Sequence, residues 1–302
     1  MTYAPALTSL GKPLDTRSES FGFLRSSADA LGNPSELHER MKTDGYLYLP
    51  KLLLTNEVAA ARLSILNELA GEGLLDKNFP LQQAESKADT QTYFRPDLAR
   101  DNEALQRLLY RTDGPMMNFF TGFLGGLIRH FDFTWLRCVA PGMGTPPHAD
   151  VVYMGRGTKQ LYTAWTPLSD IDLAMGGLMV LEGSHQNERL RNGYGARDVD
   201  SYCENDPQDE ARTAIGLNGW LSTDPVGLQK GMQGRWLTAQ YQLGDVLIFN
   251  IYLVHGALDN RCSRFRISAD SRYQLASEPI DERWVGKDPP GHGAAGKRGR
   301  IC

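Results

Sequence analysis

The sequence predicts a mainly β fold with flanking helices, in the form of an antiparallel jelly roll or barrel. In the C-terminal half, short runs rich in β-branched, aromatic and aliphatic residues are separated by clusters of Gly, Pro, Asp and Asn. The runs are 131–139, 160–166, 177–181, 246–251 and 265–273. Many short strands of this kind are typical of jelly rolls, and the N-terminal half supplies helices to pack on one face.

The N-terminal half reads as one strand followed by helices. Residues 45–50 form a short apolar run that ends at Pro50 and predicts a strand. We expect Thr55 or Asn56 to cap the helix predicted over 58–69, with Glu57 in its first turn. Apolar positions between 100 and 130 recur at helical spacing, which predicts a second helical region.

The length of 302 residues and the 41% hydrophobic content fit a single domain, 1–302. Residues 1–35 are rich in Ser, Gly and Pro and predict an irregular arm. The polar stretch 186–242 predicts a long insert, either a lid over a binding site or a surface excursion. The Gly-rich residues 285–302 predict a flexible tail.

Charge and cysteine content narrow the class of protein. A net charge of -4 argues against a nucleic-acid partner, and the basic run 297–300 lies in the tail. No apolar stretch is long enough to span a membrane, and the first residues lack the pattern of a secretory signal. The four cysteines form no CxxC pair and indicate no disulfide framework, so we expect a reducing, cytoplasmic setting.

Three residues form a candidate metal site. His148 and Asp150 make an H-x-D pair, and residues two apart in an extended segment point to the same face. His255 follows the apolar run that begins at 246. Two histidines and one carboxylate with open positions opposite are the ligand set of mononuclear non-haem iron(II) oxygenases. Alone, an H-x-D pair is a weak signal, so His255 carries much of the prediction.

Arg266 extends the candidate site. It lies eleven residues after His255, in a predicted strand. A guanidinium offers a fixed fork of donors that suits a carboxylate. A metal triad with an arginine therefore indicates a 2-oxoglutarate site, in which Arg266 binds the distal carboxylate while the 2-oxo acid end chelates iron.

These motifs resemble the phytanoyl-CoA dioxygenase (PhyH-like) family. The matching blocks are 148–153, 164–166, 176–185, 244–249, 255–256 and 265–266, within a resemblance that covers roughly 45–280. The family implies a double-stranded β-helix that uses Fe(II), 2-oxoglutarate and O2. By position, His148, Asp150 and His255 match the metal ligands and Arg266 the cosubstrate arginine.

Further positions follow from the same resemblance. Tyr153 and Trp165 match residues that line the cosubstrate pocket. Some members carry a hydroxyl residue two positions after the second histidine, where this chain has Ala257, so we expect Gln160 or Thr163 to assist Arg266 instead. Asp150 argues against halogenase chemistry, for which the ligand carboxylate is replaced by a small residue.

The resulting prediction is hydroxylation of a small-molecule metabolite or natural-product intermediate, with release of succinate and CO2. Desaturation or ring formation would use the same residues. Two alternatives remain open at this point: a cupin-like metalloprotein without 2-oxoglutarate, and a non-catalytic β-barrel binding protein. His185, in the turn 182–185, is expected to be structural rather than a fourth ligand.

Overall fold

A computed structural model describes residues 6–214 and 219–302, with the side chains of 211–214 left undescribed. Its helices are α1 Pro34–Asp44, α2 Thr55–Gly71, α3 Pro96–Arg100, α4 Glu103–Tyr110, α5 Pro115–Leu124, α6 Val151–Met154, α7 Glu188–Asn192, α8 Pro207–Ala214 and α9 Pro225–Met232. The first strands are β1 Thr8–Ser9, β2 Lys12–Pro13, β3 Phe21–Phe23, β4 Tyr46–Leu49, β5 Tyr93–Phe94, β6 Ile128–His130 and β7 Trp135–Val139. The others are β8 Tyr162–Pro167, β9 Leu178–Leu181, β10 Ser201–Cys203, β11 Trp236–Thr238, β12 Val246–Asn250, β13 His255–Ala257, β14 Arg266–Leu275 and β15 Arg298–Arg300.

Two sheets form the β core. The larger sheet has the order β4-β12-β8-β14-β7-β5, and β6 also pairs with β14. The smaller sheet has the order β13-β9-β11-β3, in which only β11 and β3 run parallel. Apolar side chains of both sheets, among them Trp165, Val180 and Phe249, share one buried cluster. The two sheets therefore face one another, which confirms the predicted double-stranded β-helix.

The N-terminal helices cover the outer face of the larger sheet. Apolar residues of α1, α2, α4 and α5 share a second buried cluster with β4, β12 and β14. The start of α1 is fixed by Asn33, whose side chain accepts a hydrogen bond from the Glu36 amide, and by Pro34 in the first turn. Gly45 ends this helix with a φ of 78°, a conformation that glycine adopts without strain.

Helix α2 begins where expected but without the predicted cap. Thr55 is its first residue, and the residue before it, Leu54, supplies no side-chain hydrogen bond. The prediction that Thr55 or Asn56 caps the helix is therefore wrong. The helical region predicted over 100–130 is divided into α3, α4 and α5, because Gly114 and Pro115 separate α4 from α5.

Both ends of the chain contain strands, although the sequence predicted an irregular arm and a flexible tail. Within the arm 1–35, of which 1–5 lie outside the described residues, β1 pairs with β2 and β3 joins the smaller sheet. In the tail 285–302, β15 pairs in parallel with β10, and Cys302 forms a disulfide with Cys203. Cysteines 99 residues apart meet because this strand pairing brings them together, so the expectation of no disulfide is wrong. Disulfides persist mainly in oxidising compartments, so this bond argues against the cytoplasmic setting expected from the sequence. That setting stays a prediction.

Within residues 6–214 and 219–302, every helix is too short or too polar to span a lipid bilayer.

Candidate metal centre and its cavity

Backbone pairing brings the three predicted metal ligands together. His148 and His255 form an antiparallel bridge in which each backbone amide donates to the other's carbonyl at 2.9 Å. Asp150 does not continue an extended segment, as the H-x-D argument assumed. Its φ of -61° and ψ of -23° are helical, and it leads directly into α6. The turn at Asp150 still carries its carboxylate back toward the two imidazoles.

The ligand atoms converge on one point. Asp150 Oδ1 lies 3.9 Å from His148 Nε2 and 3.7 Å from His255 Nε2. One donor atom from each of the three residues lies within 4.8 Å of the other two. All three side chains are buried, with 7% of His148, 2% of Asp150 and 5% of His255 exposed. This spacing allows a single ion to contact all three donors.

Hydrogen bonds fix which imidazole nitrogen is available. His148 Nδ1 lies 2.8 Å from the Pro146 carbonyl, and His255 Nδ1 lies 3.0 Å from the Leu253 carbonyl. A carbonyl only accepts, so each Nδ1 carries the proton and each Nε2 keeps a free lone pair. Burial lowers the pKa of His148 to about 3 and also lowers that of His255. Both rings are therefore neutral, the form that binds a metal.

Asp150 is held in its ionised form. Burial acts to raise the pKa of this carboxyl, but the Arg272 guanidinium and the hydrogen bond from Thr163 hold the pKa well below its usual range. Two neutral imidazoles and one carboxylate are the donor set that suits Fe(II). The residues present therefore fit the metal predicted from the sequence.

Arg266 lines the cavity beside this cluster. Its side chain is 2% exposed at the start of β14, and Nη1 donates to the Gly176 carbonyl. Burial, with the nearby Arg137, lowers the pKa of Arg266 to about 10, so the guanidinium stays charged at neutral pH. The other residues that line the cavity are Arg137, Thr145, His148, Trp165, Leu178, His255, Asp270 and Arg272.

Neither residue expected to assist Arg266 does so. Thr163 Oγ1 donates to Asp150 Oδ2 at 2.5 Å, so it supports a candidate metal ligand. Gln160 is exposed at the surface, where it precedes β8. The sequence could not separate these roles. Side chains on successive positions of a strand point to opposite faces, but which of them face the cavity depends on where the strand begins.

The two predicted aromatic residues take different places. Trp165 is 2% exposed and lines the cavity, with its ring 4.6 Å from the ring of Tyr241. Tyr153 packs edge-on against the His148 ring, with centroids 5.6 Å apart, and is not among the residues that line the cavity. His185 lies elsewhere: its Nε2 is 3.0 Å from the Lys42 carbonyl and its ring contacts Gly45, which fits the structural role expected for it.

Part of the 186–242 segment is hydrogen-bonded to the backbone on both sides of His148. The Tyr194 hydroxyl accepts a hydrogen bond from the Ala149 amide and donates to the Gly219 carbonyl. The Leu221 amide donates to the Pro147 carbonyl at 2.9 Å. These contacts bind the segment to the residues on both sides of His148. Residues 215–218 of the segment lie outside the described part of the chain.

Three charged residues of the cavity, Arg137 of β7 with Asp270 and Arg272 of β14, were missed from the sequence. Arg272 Nη2 donates to Asp150 Oδ2 at 3.0 Å, and Asp270 lies 3.6 Å from Arg137 Nε. The signal was present in β14, where polar residues occupy every second position from Arg266 to Gln274. Since side chains alternate across a strand, that pattern places all of them on one face. All five are buried.

The fold and the His-Asp-His site together define a class of protein, the mononuclear iron and 2-oxoglutarate-dependent oxygenases with a double-stranded β-helix. The family model of phytanoyl-CoA dioxygenase (PhyH) matches residues 41–268, which is more than half of the chain. The chain therefore belongs to the phytanoyl-CoA dioxygenase family. This confirms the resemblance read from the sequence, the enzyme class of Fe(II)/2-oxoglutarate-dependent dioxygenase, and the cofactors Fe(II), 2-oxoglutarate and O2.

Among curated relatives, 1-deoxypentalenic acid 11-beta-hydroxylase of Streptomyces exfoliatus is 29% identical over 149 residues. That match spans 45% of this chain and 43% of the relative's length. Two solved structures share the fold. The epimerase SnoN from nogalamycin biosynthesis, in complex with Fe3+, alpha ketoglutarate and nogalamycin RO, has a TM-score of 0.57 and 20% identity and covers 87% of this chain and 95% of its own. EctD from S. alaskensis, with 2-oxoglutarate and 5-hydroxyectoine, has a TM-score of 0.55 and 18% identity and covers 96% of this chain and 98% of its own.

Proposed function

We propose that this chain, acting as a single domain, hydroxylates a small-molecule metabolite or natural-product intermediate and converts 2-oxoglutarate to succinate and CO2. In this proposal His148, Asp150 and His255 hold Fe(II), and Arg266 binds the distal carboxylate of 2-oxoglutarate. The observation that carries it is the convergence of three donor atoms that could hold a metal, beside a cavity that Arg266 and both histidines line. Membership of the phytanoyl-CoA dioxygenase family supports the same assignment of metal and cosubstrate.

Each residue has a defined part in the proposed reaction. When bound, iron supplies the oxidising chemistry, which couples O2 and 2-oxoglutarate to attack on a C–H bond. Arg266 orients the cosubstrate, because its fork of donors fixes a carboxylate in one plane. Trp165 gives the same cavity an apolar wall. The burial of all three ligand side chains keeps bulk water away from the metal.

The substrate side of the proposal rests on what related proteins act on. One relative is named as a hydroxylase of 1-deoxypentalenic acid, and the two structural neighbours are complexes with nogalamycin RO and 5-hydroxyectoine. All three are small molecules. We assign the 186–242 segment a substrate-covering role, supported by the hydrogen bonds of Tyr194 and Leu221 to the backbone beside His148.

Other outcomes of the same chemistry are compatible with these residues. Neighbours of this fold include an epimerase and a carbocyclase from nogalamycin biosynthesis. Such reactions would use the same metal and cosubstrate residues, so the residues around the metal do not distinguish them from hydroxylation. The polar groups nearest the bound substrate decide the outcome, and Asp270 with Arg137 are the charged candidates in the cavity.

An anaerobic titration tests the proposal. Fe(II) and 2-oxoglutarate added together should give a weak visible charge-transfer band that neither gives alone, and both should raise the melting temperature. In air, the loaded protein should release succinate in the presence of a substrate. A protein that shows neither the band nor any 2-oxoglutarate-dependent stabilisation would favour the cupin-like alternative.

A further inference from the structure

We propose that Thr163 and Arg272 hold one carboxylate oxygen of Asp150 away from the metal, so that Asp150 is a single-oxygen ligand and one coordination position stays open. This inference rests on the proposed function, since it concerns the same metal site. It assigns a positioning role to two residues that do not themselves contact the metal.

The two oxygens of Asp150 have different surroundings. Oδ1 faces both imidazole Nε2 atoms, at 3.9 and 3.7 Å. Oδ2 accepts a hydrogen bond from Thr163 Oγ1 at 2.5 Å and another from Arg272 Nη2 at 3.0 Å. A carboxylate oxygen with two donors, one of them charged, is held in place and is a weaker ligand than its free neighbour. The carboxylate therefore presents Oδ1 alone to the ion.

The two donors are built into the sheet. Arg272 of β14 and Thr163 of β8 are direct partners in the antiparallel ladder, so the two strands deliver them side by side. Thr163 is 1% exposed and Arg272 is 2% exposed. Asp150 is the one hydrogen-bond acceptor of the Arg272 side chain within the described residues, since its Nε and Nη1 have none.

Two tryptophans in contact with each other hold Arg272 in position. Its guanidinium carbon lies 3.9 Å from the centre of the Trp135 ring, at cation–π distance. Trp135 packs in turn against Trp284, with ring centroids 4.7 Å apart. Because the guanidinium lies over the Trp135 ring, the side chain cannot swing away from Asp150 without losing this contact as well as the hydrogen bond.

A single-oxygen Asp150 would leave room on the metal for one more ligand. With Fe(II) and 2-oxoglutarate bound, three donor atoms from the protein and two from the cosubstrate would leave one of six coordination positions open. If Asp150 bound through both oxygens, that position would be filled. Thr163 and Arg272 thus keep the site open to a further small ligand while the metal and the cosubstrate are both bound.

Nitric oxide tests this inference, because it binds an open position of Fe(II) and gives a paramagnetic signal without turnover. The variants are Thr163→Val, which keeps the side-chain shape, Thr163→Ser, which restores the hydroxyl, and Arg272→Met. Thr166→Val is the matched control: Thr166 lies on the same strand, is buried, and its hydroxyl has no partner among the described residues. Each protein is loaded anaerobically with Fe(II) and 2-oxoglutarate and titrated with nitric oxide.

We expect Thr163→Val to weaken nitric oxide binding about tenfold, the effect of losing one hydrogen bond to a charged group, while Fe(II) affinity without 2-oxoglutarate does not fall. Arg272→Met should weaken nitric oxide binding further, and Thr163→Ser and Thr166→Val should match the wild type. A merely structural role would weaken Fe(II) and nitric oxide binding together.

Equal nitric oxide affinities for Thr163→Val and Thr163→Ser would overturn the inference, and so would a parallel loss of Fe(II) affinity in Thr163→Val. If Arg272→Met does not fold, the two Thr163 variants still decide, because they differ by a single hydroxyl at nearly constant volume. Failure of the wild type to take up Fe(II) and 2-oxoglutarate would instead refute the proposed function.

Discussion

Replacing Arg266 by Met should remove most of the affinity for 2-oxoglutarate while leaving Fe(II) binding intact. The Arg266 side chain is 2% exposed, donates to the Gly176 carbonyl through Nη1, and has no acceptor for Nε within the described residues. Its remaining donors are therefore available to a carboxylate in the cavity. Met keeps the length of the aliphatic stem and removes the charge and every donor.

The expected loss is large because the pair would be buried. Truncating one partner of a buried, hydrogen-bonded charge pair costs about 2 to 5 kcal/mol, much of it from the carboxylate left without a partner. That is about 30- to 5000-fold in affinity. Arg266→Lys keeps the charge but loses the planar fork, so we expect a smaller loss than for Arg266→Met.

The assay measures how strongly the protein distinguishes 2-oxoglutarate from 2-oxopentanoate, in which a methyl group replaces the distal carboxylate. Both acids present the same chelating end to iron, so the ratio of their affinities isolates the distal contact. The wild type and an Arg129→Met control, changed at an exposed residue of β6, should prefer 2-oxoglutarate strongly. In Arg266→Met the preference should disappear. If the variant kept the wild-type ratio, another residue would bind the distal carboxylate.

Three further outcomes are expected. Asp150→Ala should abolish succinate release by removing the anionic ligand, and turnover at the wild-type rate would refute that assignment. The pKa of His148 is about 3 in the fold against about 6.5 when unfolded, so the unfolded chain binds more protons between these values. The free energy of unfolding of the metal-free protein should therefore fall as pH drops from about 6.5 toward 3, and His148→Asn should flatten that slope in urea titrations. Cys302→Ser should lower the melting temperature, because Cys203–Cys302 closes a loop of 99 residues worth up to about 5 kcal/mol; an equal effect of Cys262→Ser would contradict this.

Much of the β core was predictable because its strands carry local signals. The apolar runs at 160–166, 177–181 and 246–251 became β8, β9 and β12 with ends shifted by a few residues. The metal triad was also readable, since the spacing of H-x-D and a later histidine is specific once Arg266 and the family blocks accompany it. Amphipathic helices such as α4, which buries Leu105, Leu108 and Leu109 on one face, follow from the 3.6-residue period.

The predictions that were wrong concern residues whose positions are set by pairings between distant parts of the chain. The disulfide requires β15 to lie beside β10, and no local pattern near Cys302 indicates that neighbour. Thr163 was expected, as an alternative to Gln160, to assist Arg266 in place of the hydroxyl that Ala257 lacks. The register of β8 against β14 instead sets Thr163 opposite Arg272, and its hydroxyl reaches Asp150. Side-chain roles of this kind depend on strand register, which a single sequence leaves open.

Strand β14 shows how this register joins the fold to the site. Its alternate residues Ile267, Ala269 and Tyr273 lie in the apolar core beneath the helices, while Arg266 and Arg272 face the cavity. A slip of one residue would exchange the two faces, placing arginines in the apolar core and apolar side chains at the metal. Burying charged groups without partners there would cost several kcal/mol each. The apolar face therefore fixes the register that delivers both arginines, and the outer helical layer, far from the metal, is as necessary to the site as the cavity itself.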